Sequence, residues 1–137
     1  MSHARKLFVN LAVRDLARSL EFWRGLGFSF NSQFTDEKAA CMIVSGEASV
    51  MLLSEPFFKT FTKRDVCDSS VHTEGIFALS CESKEEVDQL VQKAIALGGA
   101  PAMDKMEHGD FMYGWSFYDL DQHHWEVMWM NPAAMPS

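Results

Sequence analysis

The chain contains a near-repeat of itself. Phe8-Val9-Asn10-Leu11-Ala12-Val13-Arg14-Asp15 and Ile76-Phe77-Ala78-Leu79-Ser80-Cys81-Glu82-Ser83 each read as a strand running into a helix cap. An amphipathic segment follows each, closing at Leu26-Gly27 and at Leu97-Gly98, and β-forming stretches come after it. A unit of strand, helix and several strands that occurs twice predicts an α+β fold of two βαβββ modules. Together they would form a curved mixed sheet around a cleft.

The local signals fix the modules in more detail. Asp15 is positioned to accept from the first free amides of a helix over 16–26, whose apolar positions Leu16, Leu20, Trp23 and Leu26 recur at helical spacing. Strands are expected at 28–34, 39–44 and 49–54, divided by Asp36-Glu37-Lys38 and Ser45-Gly46-Glu47. Ser83 and Glu86 form a capping box ahead of the stripe Val87, Leu90, Val91, Ala94 and Ile95, and Gly98-Gly99 ends that helix. Further strands are expected from Pro101, at 111–118 and at 123–130, with turns at His108-Gly109-Asp110 and at 119–122. The whole chain, 1–137, reads as a single domain: module 1 at about 5–55, a connector at 56–73, and module 2 at about 74–131.

Charge and cysteine content narrow the function classes. A formal net charge of −7, with 12 Lys and Arg in no long run, argues against a nucleic-acid partner. No apolar run is long enough to span a bilayer. Three cysteines, Cys41, Cys67 and Cys81, without CxxC spacing, fit a reducing cytoplasm. There is no P-loop, no GxGxxG after a strand and no HExxH.

Val13-Arg14-Asp15-Leu16 with Ser19, Phe22-Trp23 and Leu26-Gly27-Phe28, together with Asp119-Leu120-Asp121 and Trp125-Glu126-Val127, resemble the vicinal oxygen chelate superfamily. That group includes glyoxalase I, extradiol dioxygenases, fosfomycin-resistance enzymes and bleomycin-resistance proteins. The resemblance covers about 5–130, and within the group the chain is similar to small glyoxalase-like proteins described as predicted lactoylglutathione lyases. It implies a homodimer and four metal-ligand positions, which fall on Phe8, Leu52, Ile76 and Glu126. Only Glu126 can ligate, and one carboxylate does not hold Zn²⁺, Ni²⁺ or Fe²⁺. The inherited metal site is therefore expected to be lost, with no cofactor required; a rebuilt divalent-metal site from His108, His124 and Glu126 is the alternative. Gln122 stands where the group usually has glycine in its final turn.

Period-two alternation puts His124, Glu126 and Met128 on one face of the last strand, with Trp125, Val127 and Trp129 under the helices. It also aims Phe8, Asn10, Leu52 and Ile76 into the cleft, and Trp115 is added as a candidate whose parity is open. The expected result is an apolar cup for an aromatic or apolar small molecule. Glu126 and His124 are the candidate catalytic pair, while His123 is expected to be solvated beside its turn. Two functions of different class remain: a binding protein of bleomycin-resistance type without metal, or a glyoxalase-like lyase, isomerase or dioxygenase using Glu126 and His124. A regulatory or scaffold module with an incidental cleft is a third.

Overall fold

The computed structural model describes residues 5–133, and the chain divides into two compact units, 1–66 and 67–137. The boundary lies within the expected connector. In the first unit β1 (Leu7–Val13), α1 (Leu16–Gly25), β2 (Ser29–Asn31), β3 (Ala39–Ile43) and β4 (Ala48–Ser54) form a four-stranded sheet in the order β1-β4-β3-β2, followed by the short helix α2 (Glu55–Phe58). Only β1 and β4 run parallel. The crossover through α1, β2 and β3 permits this, since parallel neighbours need a long connection.

Helix α1 starts where its cap predicts: the Arg18 amide donates to Asp15 Oδ1 at 3.2 Å. Its buried face carries Leu16, Ser19, Phe22 and Trp23, and the Trp23 ring meets Phe22 and Phe28 edge-on, with centroids 5.3 and 5.4 Å away. Gly27, at φ 102°, turns the chain out of the helix in a conformation that L side chains resist. Strand β2 is shorter than expected. After Asn31 the chain enters a 3₁₀ turn over Ser32–Phe34, because Asn31 Oδ1 accepts from the Gln33 amide at 3.0 Å and offers the backbone a local alternative to the ladder.

The second unit repeats the plan with one modification. It contains β5 (Ile76–Ser80), α3 (Lys84–Ala96), β6 (Ala100–Pro101), β7 (Met106–His108), β8 (Met112–Tyr118) and β9 (His124–Met130). The sheet order is β5-β9-β8-β6, with β7 also paired to β8. Ser83 Oγ accepts from the Glu86 amide at 3.0 Å as expected, but Glu86 Oε1 accepts from the Glu82 amide at 2.9 Å rather than from Ser83. Val87, Val91 and Ala94 of α3 are fully buried, as are Phe117, Trp125 and Val127 in the strands beneath. Each of the larger side chains contributes roughly 1.5–3 kcal/mol, and this layer is the unit's core.

The modification is an interrupted edge. β6 pairs with Phe117 and Tyr118, β7 pairs with Met112, Tyr113 and Gly114, and between them the chain leaves β8 opposite Trp115 and Ser116. Pro101 has no amide to donate and is confined to an edge. At the break Ser116 supplies the missing partner: the Met103 amide donates to Ser116 Oγ at 2.9 Å. No helix among the described residues is long and apolar enough to cross a membrane.

Two glycines differ in what they tolerate. At Gly99 an added Cβ would lie 2.6 Å from the Tyr118 carbonyl oxygen and 2.9 Å from that of Ala94, both main chain. Gly99→Ala is expected to destabilise the fold by about 2 kcal/mol, within the range for overpacking, while Gly46→Ala, with open space around it, changes stability little; urea unfolding of both variants measures the difference.

Candidate functional site

The site is built on β9 and begins at the turn that feeds it. Asp119 is buried and gathers three donors: the amides of Asp121 and His123 reach Oδ1 at 2.9 and 3.0 Å, and the Trp125 indole Nε1 reaches Oδ2 at 2.8 Å. Burial pushes the Asp119 carboxyl upward, against the pull of the charge on His123 and of these donors. The Gln122 amide donates to the Asp119 carbonyl at 3.0 Å, and the Asp119 amide donates to the His123 carbonyl at 3.1 Å. Gln122 sits at φ 66°, the only non-glycine residue with positive φ among those described. A three-residue hairpin loop needs this left-handed residue.

The turn sets the register of β8 against β9, which pairs Tyr118 with His124, Ser116 with Glu126 and Gly114 with Met128. On the other side β5 pairs Ile76 with His124, Ala78 with Glu126 and Ser80 with Met128. These residues share the face opposite α3. A hollow of about 420 Å³ opens there, lined by Ile76, Gly114, Ser116, His124 and Glu126, by Trp115 in β8, and by Met103, Asp104, Lys105 and Met106. Met103, Asp104 and Lys105 belong to the stretch that leaves the edge of β8, and Met106 opens β7 where the chain rejoins it, so the broken edge provides one wall.

His124 is 8% exposed, and its Nε2 is buried with no hydrogen-bond partner. Its ring meets that of Tyr118 at a centroid distance of 5.4 Å. Glu126 is half-buried. Lys105 is engaged: Nζ lies 3.4 Å from Asp88 Oδ1 and 4.6 Å from the centroid of the Trp115 ring, while the Tyr113 hydroxyl donates to the same Asp88 oxygen at 2.6 Å.

Of the residues expected from sequence, Ile76, Trp115, His124 and Glu126 border this one hollow. Trp115 registers with Val127, on the opposite face from Glu126, and borders the hollow at the break in the edge rather than as an inward ring of the Glu126 row. Met128 shares the Glu126 face without lining the hollow. Phe8 and Asn10 lie on β1 in the first unit, both exposed. Leu52 is a correction. It is fully buried and registers with Leu11, whereas the residue opposite Asn10 is Met51. A one-residue change of parity moves a whole strand set to the other face, and Val50 is buried with Leu52. By the internal repeat, which aligns Phe8 with Ile76, the counterpart of Glu126 is Met51.

His123 is the second correction. It is 4% exposed rather than solvated, with Nδ1 3.3 Å from Glu74 Oε1. The turn folds it inward because its own amide is held by Asp119. His108 ends β7 and is exposed. Met103, Met106 and Lys105 are lining residues that sequence reasoning does not find; the one signal is Pro101, which limits the edge strand, and nothing in the local pattern shows where the chain departs.

The chain matches the Glyoxalase/Bleomycin resistance protein/Dioxygenase superfamily over residues 5–127. It belongs to that superfamily. Hypothetical protein SA1046 from Staphylococcus aureus is 30% identical, with 93% of this chain and 94% of that one covered and a TM-score of 0.75. Lactoylglutathione lyase from Agrobacterium tumefaciens is similar at 17% identity, covering 93% and 95%, with a TM-score of 0.67. The genomically encoded fosfomycin resistance protein FosX from Listeria monocytogenes, solved with Mn(II) and sulfate, is similar at 16% identity, covering 96% and 93%, with a TM-score of 0.65. No curated protein matches the chain.

The metal that the superfamily implies does not fit these residues. No group of three or more His, Cys, Asp or Glu side chains among those described could hold an ion. Phe8 and Ile76 offer no donor, Met51 offers a thioether suited to soft metals, and Glu126 offers one carboxylate. His108, His124 and Glu126 form no such group either.

The turn and the thiols are both open to test. Asp119→Ala is expected to cost about 3 kcal/mol, since it leaves the Trp125 indole and two amides buried without acceptors, and Gln122→Gly to add about 0.5–1 kcal/mol by relieving the left-handed position; denaturant unfolding measures both. Burial, with the neighbouring Glu86 charge, pushes the Cys81 thiol up to about 12, and Cys41 is buried while Cys67 is half-exposed. Iodoacetamide at pH 8 is expected to label Cys67 first, as peptide mass mapping would read.

Proposed function

We propose that this protein binds an apolar or aromatic small molecule without using a metal, as a glyoxalase/bleomycin-resistance-like binding protein rather than a metalloenzyme. The observation that carries this reading is the pairing of an apolar hollow with an insufficient donor set. Ile76, Met103, Met106 and Trp115 give the hollow its apolar walls, and a small number of polar groups, among them Ser116, His124 and Glu126, stand in it. Ligand sites have this composition: burial of apolar area supplies affinity and a few fixed polar groups supply orientation. Glu126 in this reading orients the ligand.

The second reading is a lyase, isomerase or dioxygenase in which Glu126 and His124 act as acid and base. The proximity of a buried imidazole and a carboxylate two residues apart on one strand favours it. The superfamily's dimeric habit and its small-molecule clefts support a homodimer as the working assembly, which light scattering at micromolar concentration would check.

Elemental mass spectrometry on untagged protein, after incubation with Ni²⁺, Zn²⁺, Mn²⁺ and Fe²⁺ and gel filtration, is expected to find well under one metal per chain. A panel of uncharged aromatic compounds is expected to raise the melting temperature in the same preparation. Stoichiometric metal that is lost in Glu126→Gln would overturn the binding-protein reading in favour of a metalloenzyme.

A further inference from the structure

At the end of the second sheet far from the Asp119 turn, β7, β8 and β9 bring sulfur to one face. Met106 registers with Gly114 and Gly114 with Met128; two residues further on, His108 registers with Met112 and Met112 with Met130. Residues two apart along a strand share a face. That face is the one turned away from α3, because Tyr113, which alternates with Met112 and Gly114, is buried toward the helix with its hydroxyl donating to Asp88. The six positions form two rows about 7 Å apart on strands about 4.8 Å apart. Four thioethers and an imidazole thus surround Gly114, the one position without a side chain.

The backbone holds this set in register. The Phe111 amide donates to the His108 carbonyl at 3.0 Å, and Asn131, next to Met130, donates from its amide to the Phe111 carbonyl at 2.8 Å and from Nδ2 to the Asp110 carbonyl at 3.0 Å. Packing does not account for the set. Met106 is 40% and Met130 38% exposed, His108 is exposed, and Met112 and Met128 are half-buried. Ordering a methionine loses more rotamer freedom than ordering a leucine, so a patch that only packed would be better served by leucine. What methionine adds is a soft donor on an unbranched arm with three rotatable bonds, which lets sulfurs from different strands converge on one point.

We propose that Met106, Met112, Met128, Met130 and His108 form a binding site for a soft monovalent cation, Cu⁺, with Ag⁺ as its chemical analogue. Thioethers select Cu⁺, whereas ions that prefer oxygen or all-imidazole sets gain little from them; the low uptake expected for Ni²⁺, Zn²⁺, Mn²⁺ and Fe²⁺ is unaffected. The donors are neutral, which suits a single positive charge better than two. Glu126 follows Met128 on the same face of β9 and the chain as a whole carries −7, so the local and overall fields both favour a cation. The site adjoins the hollow through Met106 and stands whether or not the hollow takes an organic molecule.

Competition between the untagged full chain and bicinchoninate for Cu⁺, under anaerobic conditions with ascorbate, reads the affinity. About one Cu⁺ per chain is expected. The double variant Met112→Leu/Met130→Leu, which conserves side-chain volume, is expected to bind about tenfold or more weakly, and His108→Ala severalfold more weakly. Cys67→Ser, which removes the half-buried thiol, is expected to bind as the parent chain does. Carbon-13 labelling of the methionine methyl groups locates the ion without any substitution: adding Ag⁺ is expected to shift the resonances of Met106, Met112, Met128 and Met130 and to leave that of Met42, fully buried in β3, in place. Failure to take Cu⁺ from bicinchoninate together with unmoved methyl resonances overturns the proposal. So does full affinity in the double methionine variant with loss in Cys67→Ser, which assigns the ion to the thiol.

Discussion

The second unit depends on one carboxylate. Asp119 collects two turn amides and the Trp125 indole, and this ties the hairpin loop to the core residue two positions into β9. The bond to Trp125 has the widest effect. It fixes which face of β9 turns toward α3, because an indole held beneath the helix forces its neighbours His124 and Glu126 to the opposite side. A strand has only two faces, so one anchored residue determines all the others. The polar side of the hollow is thus a consequence of a core interaction on the other side of the sheet.

The hollow's outer wall has a different origin. An uninterrupted edge strand along β8 would cover the row at Gly114 and Ser116 with another row of side chains. Here the edge is made of two short pieces, and the chain between them is fixed by a side-chain bond to Ser116 in place of ladder bonds and by the attachment of Lys105 to Asp88. The break also spares the unit a long exposed edge, which would invite pairing with other chains. The segment that limits edge pairing is the same one that walls the hollow.

The features that the sequence discloses are those with contrast in their pattern. His124-Trp125-Glu126-Val127 alternates polar and apolar, so its faces are readable without a structure, and Trp125 and Val127 are indeed fully buried. Val50-Met51-Leu52-Leu53 is apolar throughout and carries no parity. Alternation alone therefore puts Leu52 on the wrong face, and only the pairing of Leu11 with Leu52 resolves it. The helix caps at Asp15 and Ser83 are short-range chemistry and are legible for that reason. The burial of His123 is not legible, because it depends on Glu74, almost fifty residues earlier, and on a turn whose bonds converge on Asp119. Long-range partners leave no mark in local pattern.

The repeat that organises the fold also matches positions of one unit to positions of the other. Met51 and Glu126 occupy equivalent places in the two units, and so do Phe8 and Ile76. A fold with such internal equivalence could present a matching set of donors from both halves, as a multidentate metal site requires. At these four places the chain has a thioether, two hydrocarbon side chains and one carboxylate. The remaining carboxylate is then free of any cation built into the protein, in surroundings whose one lysine is paired elsewhere. A half-buried anion in an apolar setting is costly unless something compensates it. A molecule that filled the hollow would have to satisfy that carboxylate or leave it open to solvent.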